Sequence, residues 1–250
     1  MKLAADRGGS GDRLLVLLHG LGATHHVWHK MLATASDRWK GTWVAPDLRG
    51  HGASARALEY ALGHHAADVA ELARGDWREI VVVGHSMGGV VALALASGWF
   101  GILPAHCFGL GIKVAWTAEE LARLGEMAAA PPRMFATKDE AVARYLKAAG
   151  LAGLMAEDSP GAEAGVVTDD AGWRLAADPA TAAVGAPPMR ALIDAAKAPL
   201  HLACGETDRM VTLDQLRKFD ANATDLAGLG HNAMVEDPSA LWGWIESKLA

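Results

Sequence analysis

The chain has 250 residues, 51% of them hydrophobic and 21% charged, and its 23 basic and 29 acidic side chains give a net charge of −6. Such a chain suits one folded domain, or a domain carrying an insertion, with a core large enough to dispense with disulfides or a structural metal; disorder as the main state is excluded. Phosphate binding needs clustered Lys and Arg, and no such run occurs, so a nucleic-acid partner is not expected.

In chain order, the charged and glycine-containing stretch Met1 to Arg13 has no apolar segment of the kind a signal peptide needs, and secretion is not indicated. Leu14 to Leu18 then reads L-L-V-L-L before H-G-L-G, an apolar run ended by glycines, as expected of a strand buried on both faces. Similar runs occur at Thr42 to Ala45, at Ile80 to Val83, at Leu200 to Cys204 and, more weakly, at Ala223 to Leu226. Helices are expected over 64–73 and 86–97. Strands alternating with helices in this way build a mostly parallel sheet covered by helices on both faces, an α/β fold.

Val90 to Ile112 contains no Asp, Glu, Lys or Arg and is long enough on paper to span a bilayer. Gly98, Gly101, Pro104 and Gly109 interrupt it, which makes it a buried helix, a turn and a buried strand, with no membrane association expected. Cys107 and Cys204 each lie in an apolar segment and form no disulfide framework, which fits a reducing, cytoplasmic compartment.

Residues 113–188 break the alternation. They contain no convincing buried strand and read as a helical insertion between the two parts of the core, 1–112 and 189–250. Thr117 with Glu120, and Thr137 with Glu140, are capping-box pairs that start two helices, the second stopping at Gly150. Most apolar residues of the insertion must pack it onto the main domain; Trp116, Met134, Phe135 and Tyr145 are candidates to line a pocket beneath it. Lys113, at the entry to the insertion, either snorkels to solvent or binds a substrate carboxylate.

Gly84-His85-Ser86-Met87-Gly88 fits the G-x-S-x-G nucleophile elbow, with a buried strand before it and a helix-forming run after it. A serine on so sharp a turn needs glycine neighbours, and Gly84, Gly88 and Gly89 supply them. Serine is a weak nucleophile near neutral pH and needs a histidine base held by a carboxylate. Asp208, in G-E-T-D after the strand ending at Cys204, and His231, in G-L-G-H, follow downstream in that order, each on a loop after a strand; Glu206 is the rival acid. Among the eleven histidines, His25, His26 and His29 cluster, and His51, His64 and His65 follow, but their spacing fits no standard ligand pattern and the serine site needs no metal.

Taken together, H-G-L-G at 19–22 with Trp28 behind it, P-D-L-R-G-H-G-A-S at 46–54, G-H-S-M-G-G at 84–89, the G-E-T-D turn, and G-L-G-H with E-D-P at 236–238 resemble the α/β-hydrolase superfamily, in particular its members with a helical cap. The resemblance covers nearly all of the chain outside the cap. It implies Ser86 as nucleophile, Asp208 as acid and His231 as base, and an oxyanion hole from the backbone N–H groups of Leu21 and Met87. Asp47, Arg49 and His51 fall in a loop that is structural in most members. The implied reaction is hydrolysis of a small, mainly apolar carboxylic ester through an acyl-enzyme. Thioester, lactone and carbon–carbon bond hydrolysis, or a slow-turnover receptor of the same fold, remain as alternatives. Serine at the elbow departs from haloalkane dehalogenases and epoxide hydrolases, which use aspartate there. The expected partner is a small-molecule substrate with no cofactor, and the chain is a monomer or homodimer.

Overall fold

Along Arg13–Leu18 successive side chains enter opposite cores: Leu15 and Leu17 belong to one apolar cluster, Leu14, Val16 and Leu18 to another. A strand apolar on both faces must be covered on both. A computed structural model describes residues 1–249 and shows this cover as a seven-stranded sheet between layers of helices. Its strands are β1 (Ala5–Gly9), β2 (Arg13–Leu18), β3 (Thr42–Pro46), β4 (Glu79–His85) and β5 (His106–Leu110), and, after a separate hairpin of β6 (Val166–Asp169) and β7 (Gly172–Leu175), β8 (Leu200–Gly205) and β9 (Thr224–Leu226). Their order is β1-β3-β2-β4-β5-β8-β9, all parallel except β1, which runs antiparallel to β3.

Helices α1 (His29–Ala35), α9 (Ala233–Glu236) and α10 (Pro238–Leu249) contribute Met31, Met234 and Trp242 to the cluster on one face; α2 (Leu62–Leu72) and α3 (Met87–Ala96) contribute Val69 and Val91 to the other. Every residue of α3 is buried, which explains the uncharged run from Val90. The helix ends where Gly98 and Gly101 turn with φ of 75° and 83°, and the run continues through β5, which is buried in turn. Among the described residues no helix is long and apolar enough to cross a membrane. Cys107 on β5 and Cys204 on β8 are free and buried, and burial pushes the Cys204 thiol up to about 11.

Between β5 and β8 lie α4 (Ala118–Ala129), α5 (Lys138–Ala148), the single turn α6 (Pro160–Glu163) and α7 (Met189–Asp194). Both expected capping boxes are formed: Thr117 and Thr137 accept from the backbone of Glu120 and Glu140, whose carboxylates return the bond. Gly150, with φ of 69°, follows the end of α5. The segment is not purely helical, as a hairpin of β6 (Val166–Asp169) and β7 (Gly172–Leu175) follows α6. These strands have four residues each and are mostly half-buried, so they lack the apolar run that marks the main sheet. The short helix α8 (Leu213–Arg217) follows β8.

Helix α4 buries none of its residues, and Gly125 in its interior has open space where a Cβ would stand. Gly125→Ala is therefore expected to stabilise the protein by about 0.5–1 kcal/mol, read as a higher Tm in thermal unfolding.

Candidate active site

β4 delivers the chain to Ser86 and α3 carries it away, so the serine stands on the turn between them. Ser86 has φ of 51° and ψ of −117°, the one positive φ of a non-glycine residue among those described. Such a conformation is costly for a side-chain-bearing residue and persists only where its surroundings enforce it. They do so through close backbone crossings. A Cβ on Gly84 would lie 2.1 Å from the Gly88 carbonyl oxygen, and one on Gly88 would lie 2.4 Å from that of Leu18. The Ser86 N–H donates to the Leu110 carbonyl at 2.8 Å, which ties the turn to β5.

The H-G-L-G turn after β2 packs directly on this elbow, since a Cβ on Gly20 would lie 3.2 Å from the Ser86 Cβ. His19 holds the turn. Its Nδ1 and the Gly20 carbonyl are 2.8 Å apart, and the Leu48 N–H donates to its Nε2 at 2.9 Å. A ring that accepts at Nε2 is neutral with its proton on Nδ1, and burial lowers the His19 pKa accordingly. Leu21 follows on this turn, while Met87 begins α3, where the first N–H groups have no partner within the helix.

His231 sits between β9 and α9. Its Nδ1 donates to Asp208 Oδ2 at 2.9 Å, and the Asp208 side chain is fully buried. The other Asp208 oxygen accepts the Met210 N–H at 2.7 Å, so the carboxylate is oriented by two donors. Gly111, with φ of 60°, backs the pair: a Cβ there would come within 3.2 Å of the His231 ring and 3.3 Å of Asp208 Oδ2. Glu206 turns elsewhere and accepts the Gly228 N–H at 2.8 Å.

Three residues hold the His231 backbone, and the sequence reading assigned none of them this task. Glu236 accepts the N–H groups of Gly230 and Asn232. Asn232 donates its amide to the Gly150 carbonyl at 3.0 Å, linking this loop to the end of α5. His85 lines the cavity and donates from Nε2 to the His231 carbonyl at 2.9 Å, its ring centroid 4.6 Å from that of His231. Burial, reinforced by His231, pushes the His85 pKa well below the usual imidazole value and keeps it neutral.

Ser86, His231, Leu21 and Met87 line one cavity of about 480 Å³. Of the residues expected to line it from 113–188, Trp116 and Lys113 do so, and three are corrected. Tyr145 is buried in the apolar cluster against Gly165, its hydroxyl 3.4 Å from Thr24 Oγ1. Phe135 pairs through its backbone with Trp173 and faces a neighbouring cavity of about 250 Å³. Met134 is exposed. Lys113 neither snorkels freely nor stands unpaired: its Nζ donates to Glu120 Oε1 at 2.6 Å and lies 5.2 Å from the Trp116 ring centre. The same lysine holds Glu120 below the usual carboxylate range.

A family model described as "Alpha/beta hydrolase family" matches residues 15–242. The chain belongs to the alpha/beta hydrolase family. Its N-terminal and C-terminal motifs thus lie within one matched unit that includes the segment between β5 and β8. Among solved structures, this hydrolase is similar to E-2-(acetamidomethylene)succinate hydrolase, with a TM-score of 0.80 and 24% identity over 98% of this chain and 94% of that one. It is also similar to a thioesterase domain from the curacin biosynthetic pathway, with a TM-score of 0.78 and 19% identity over 97% and 94%. Curated relatives include the magnesium-chelatase 30 kDa subunit of Rhodobacter capsulatus, 38% identical over 94 residues, and lipase LipV of Mycobacterium tuberculosis, 36% identical over 92 residues. Each match covers 36% of this chain, and the hydrolase spans about a third of the length of these relatives, 32% and 34%.

Burial lowers the pKa values of several histidines beneath the site, to about 3 for His51 and about 4 for His65, with His19 and His85 lowered as well. These folded-state values lie below the unfolded value of about 6.5, so the unfolded chain binds more protons between them. Their contribution is complete above pH of about 6.5 and is lost as pH falls toward 4 and then 3. His25 acts in the opposite sense: burial disfavours its charge, but Asp47 and Asp6 outweigh burial and raise its pKa. His26, lowered to about 4, and His201 act in the same direction as these four, so six histidines against one decide the sign. Thermal unfolding is expected to show Tm falling from pH 6.5 to 4, and a Tm that is flat over that window would contradict neutral burial.

Proposed function

We propose that this α/β hydrolase cleaves a small, mainly apolar carboxylic ester by nucleophilic catalysis at Ser86. The observation that carries the reading is the strained Ser86 elbow sharing a cavity with His231, whose Nδ1 proton is held at 2.9 Å by the buried Asp208 carboxylate. A histidine fixed in this tautomer presents Nε2 as the base. In the proposed reaction Ser86 Oγ adds to the ester carbonyl as His231 Nε2 takes its proton. The resulting oxyanion is met by the N–H groups of Leu21 and Met87, the second at the positive end of α3. Collapse expels the alcohol, which receives the proton from His231. Water, deprotonated by the same nitrogen, then attacks the acyl-enzyme and releases the carboxylic acid and Ser86.

The lining of the cavity supports an uncharged acyl group. Leu21, Leu62, Val90, Trp116, Val184 and Met210 supply its apolar surface, Lys113 is already matched by Glu120, Glu236 is taken up by backbone N–H groups, and Lys147, the remaining charge of the lining, is solvent-exposed. Lipase LipV and the bovine protein phosphatase methylesterase 1, 35% identical over 97 residues, carry names that denote ester hydrolysis, which adds to this choice over other acyl bonds.

Hydrolysis of p-nitrophenyl esters of increasing acyl length is expected to show sustained turnover with a chain-length optimum, lowered by ~10⁴-fold or more in Ser86→Ala. Turnover that survives this substitution would remove Ser86 from the mechanism. Stoichiometric acylation without turnover, read by intact mass, would favour the slow receptor over the esterase.

A further inference from the structure

We infer that His25, His26 and His29, together with Asp6, form a binding site for a divalent transition metal such as Zn²⁺, separate from the Ser86 cavity. The fourth donor, Asp6 on β1, is remote from the three histidines in sequence, so the set is assembled only by the fold. One ring nitrogen from each of the three histidines lies within 4.8 Å of the other two. Asp6 Oδ2 stands 3.2 Å from His25 Nε2 and 3.0 Å from His29 Nε2. Tetrahedral Zn²⁺ with bonds of about 2.0–2.1 Å has ligand atoms about 3.3 Å apart, so two edges of the polyhedron are close to formed. These edges share Asp6 and place three corners, and rotation of the half-buried His26 would bring in the fourth.

Two further observations point to a cation. Asp47, whose carboxylate is buried, accepts from His25 Nδ1 at 2.8 Å and from the His25 backbone N–H at 2.9 Å. That contact fixes the ring and leaves Nε2 to face Asp6, the carboxylate–histidine arrangement that orients a metal ligand from behind. The charges are also unbalanced. Among the described residues, the ion pairs of Asp6 and Asp47 are with histidine alone, and neither meets a Lys or Arg. His26 Nδ1, meanwhile, is buried without a hydrogen-bond partner. Three imidazoles and a carboxylate select Zn²⁺, Ni²⁺ or Cu²⁺ over Mg²⁺, which prefers oxygen donors and retains its waters. The bound ion would join β1, the turn at His25–Trp28 and the start of α1, beneath α6, where Gly161 approaches the His26 Cβ.

The test is isothermal titration of the tag-free, chelator-treated full chain with Zn²⁺, repeated with Mg²⁺ and followed by thermal unfolding with and without one equivalent of Zn²⁺. One saturable Zn²⁺ site, a raised Tm and no Mg²⁺ uptake are expected. His29→Ala and Asp6→Asn, both at partly exposed side chains, should each weaken uptake by roughly tenfold or more while leaving the metal-free Tm within a few degrees of wild type. His106 and His201, with ring nitrogens 3.1 Å apart, provide a competing pair, and His231 another donor. Absence of a saturable site would overturn the assignment, as would uptake unchanged in His29→Ala or uptake lost instead in His201→Ala or His231→Gln. None of these outcomes depends on ester hydrolysis.

Discussion

The architecture around the cavity depends on how closely β2, β4 and α3 cross at Ser86. Backbone meets backbone there with no room for a Cβ at Gly84 or Gly88, and the side chain that occupies the turn is forced to φ of 51°. The strain can persist because the strands on either side are buried on both faces and cannot retreat. The same compression brings the Gly20 turn against Ser86 and lets α3 start directly beyond it. Loosening the elbow would therefore displace the serine and both backbone donors proposed for the oxyanion together.

The histidine arm is built on a different principle. No described non-glycine residue of the His231 loop has a positive φ; the loop is held by polar contacts aimed at the backbone, from Glu236 on the preceding and following N–H groups and from His85 on the carbonyl. Asp208 holds the ring, and Asn232 ties the loop to the end of α5. A rigid serine turn thus faces a histidine whose position depends on a network, with α5 as one of its anchors. Movement of the segment between β5 and β8 would reach His231 through Asn232 before it reached Ser86.

What could be read from the sequence follows from how each element is stabilised. β2 and β4 were legible because two-sided burial demands unbroken apolar runs, β8 because His201 alone interrupts one, and α4 and α5 because capping boxes are local. β1 was not, since an antiparallel edge strand of sequence A-D-R-G-G buries little. The hairpin of β6 and β7 escaped for the same reason. The pairing of His231 with Asp208 was legible from motif order, whereas the roles of His85, Asn232 and Glu236 were not, because hydrogen bonds to backbone leave no pattern of residue types. Tyr145 shows a third limit. Helical periodicity marks its face of α5 as buried, but a buried face packs equally well on a core or over a cavity, and here it meets Gly165.

A chain with eleven histidines must also sort them, and burial does the sorting. His19, His51, His65 and His85 lie in low-dielectric surroundings that favour the neutral ring. His85 and His19 use that neutrality structurally, one donating to a carbonyl and the other accepting an N–H. The neutrality matters to His231 as well: with centroids 4.6 Å apart, a charged His85 would oppose protonation of its neighbour, which the proposed acyl transfer requires in each half-reaction. His25 lies at the other extreme, facing a carboxylate from each ring nitrogen, where a proton or a metal ion satisfies the same deficit of positive charge. One residue type thus serves as a strut at His19 and His85, and is proposed as a base at His231 and as a ligand at His25, with the environment deciding which.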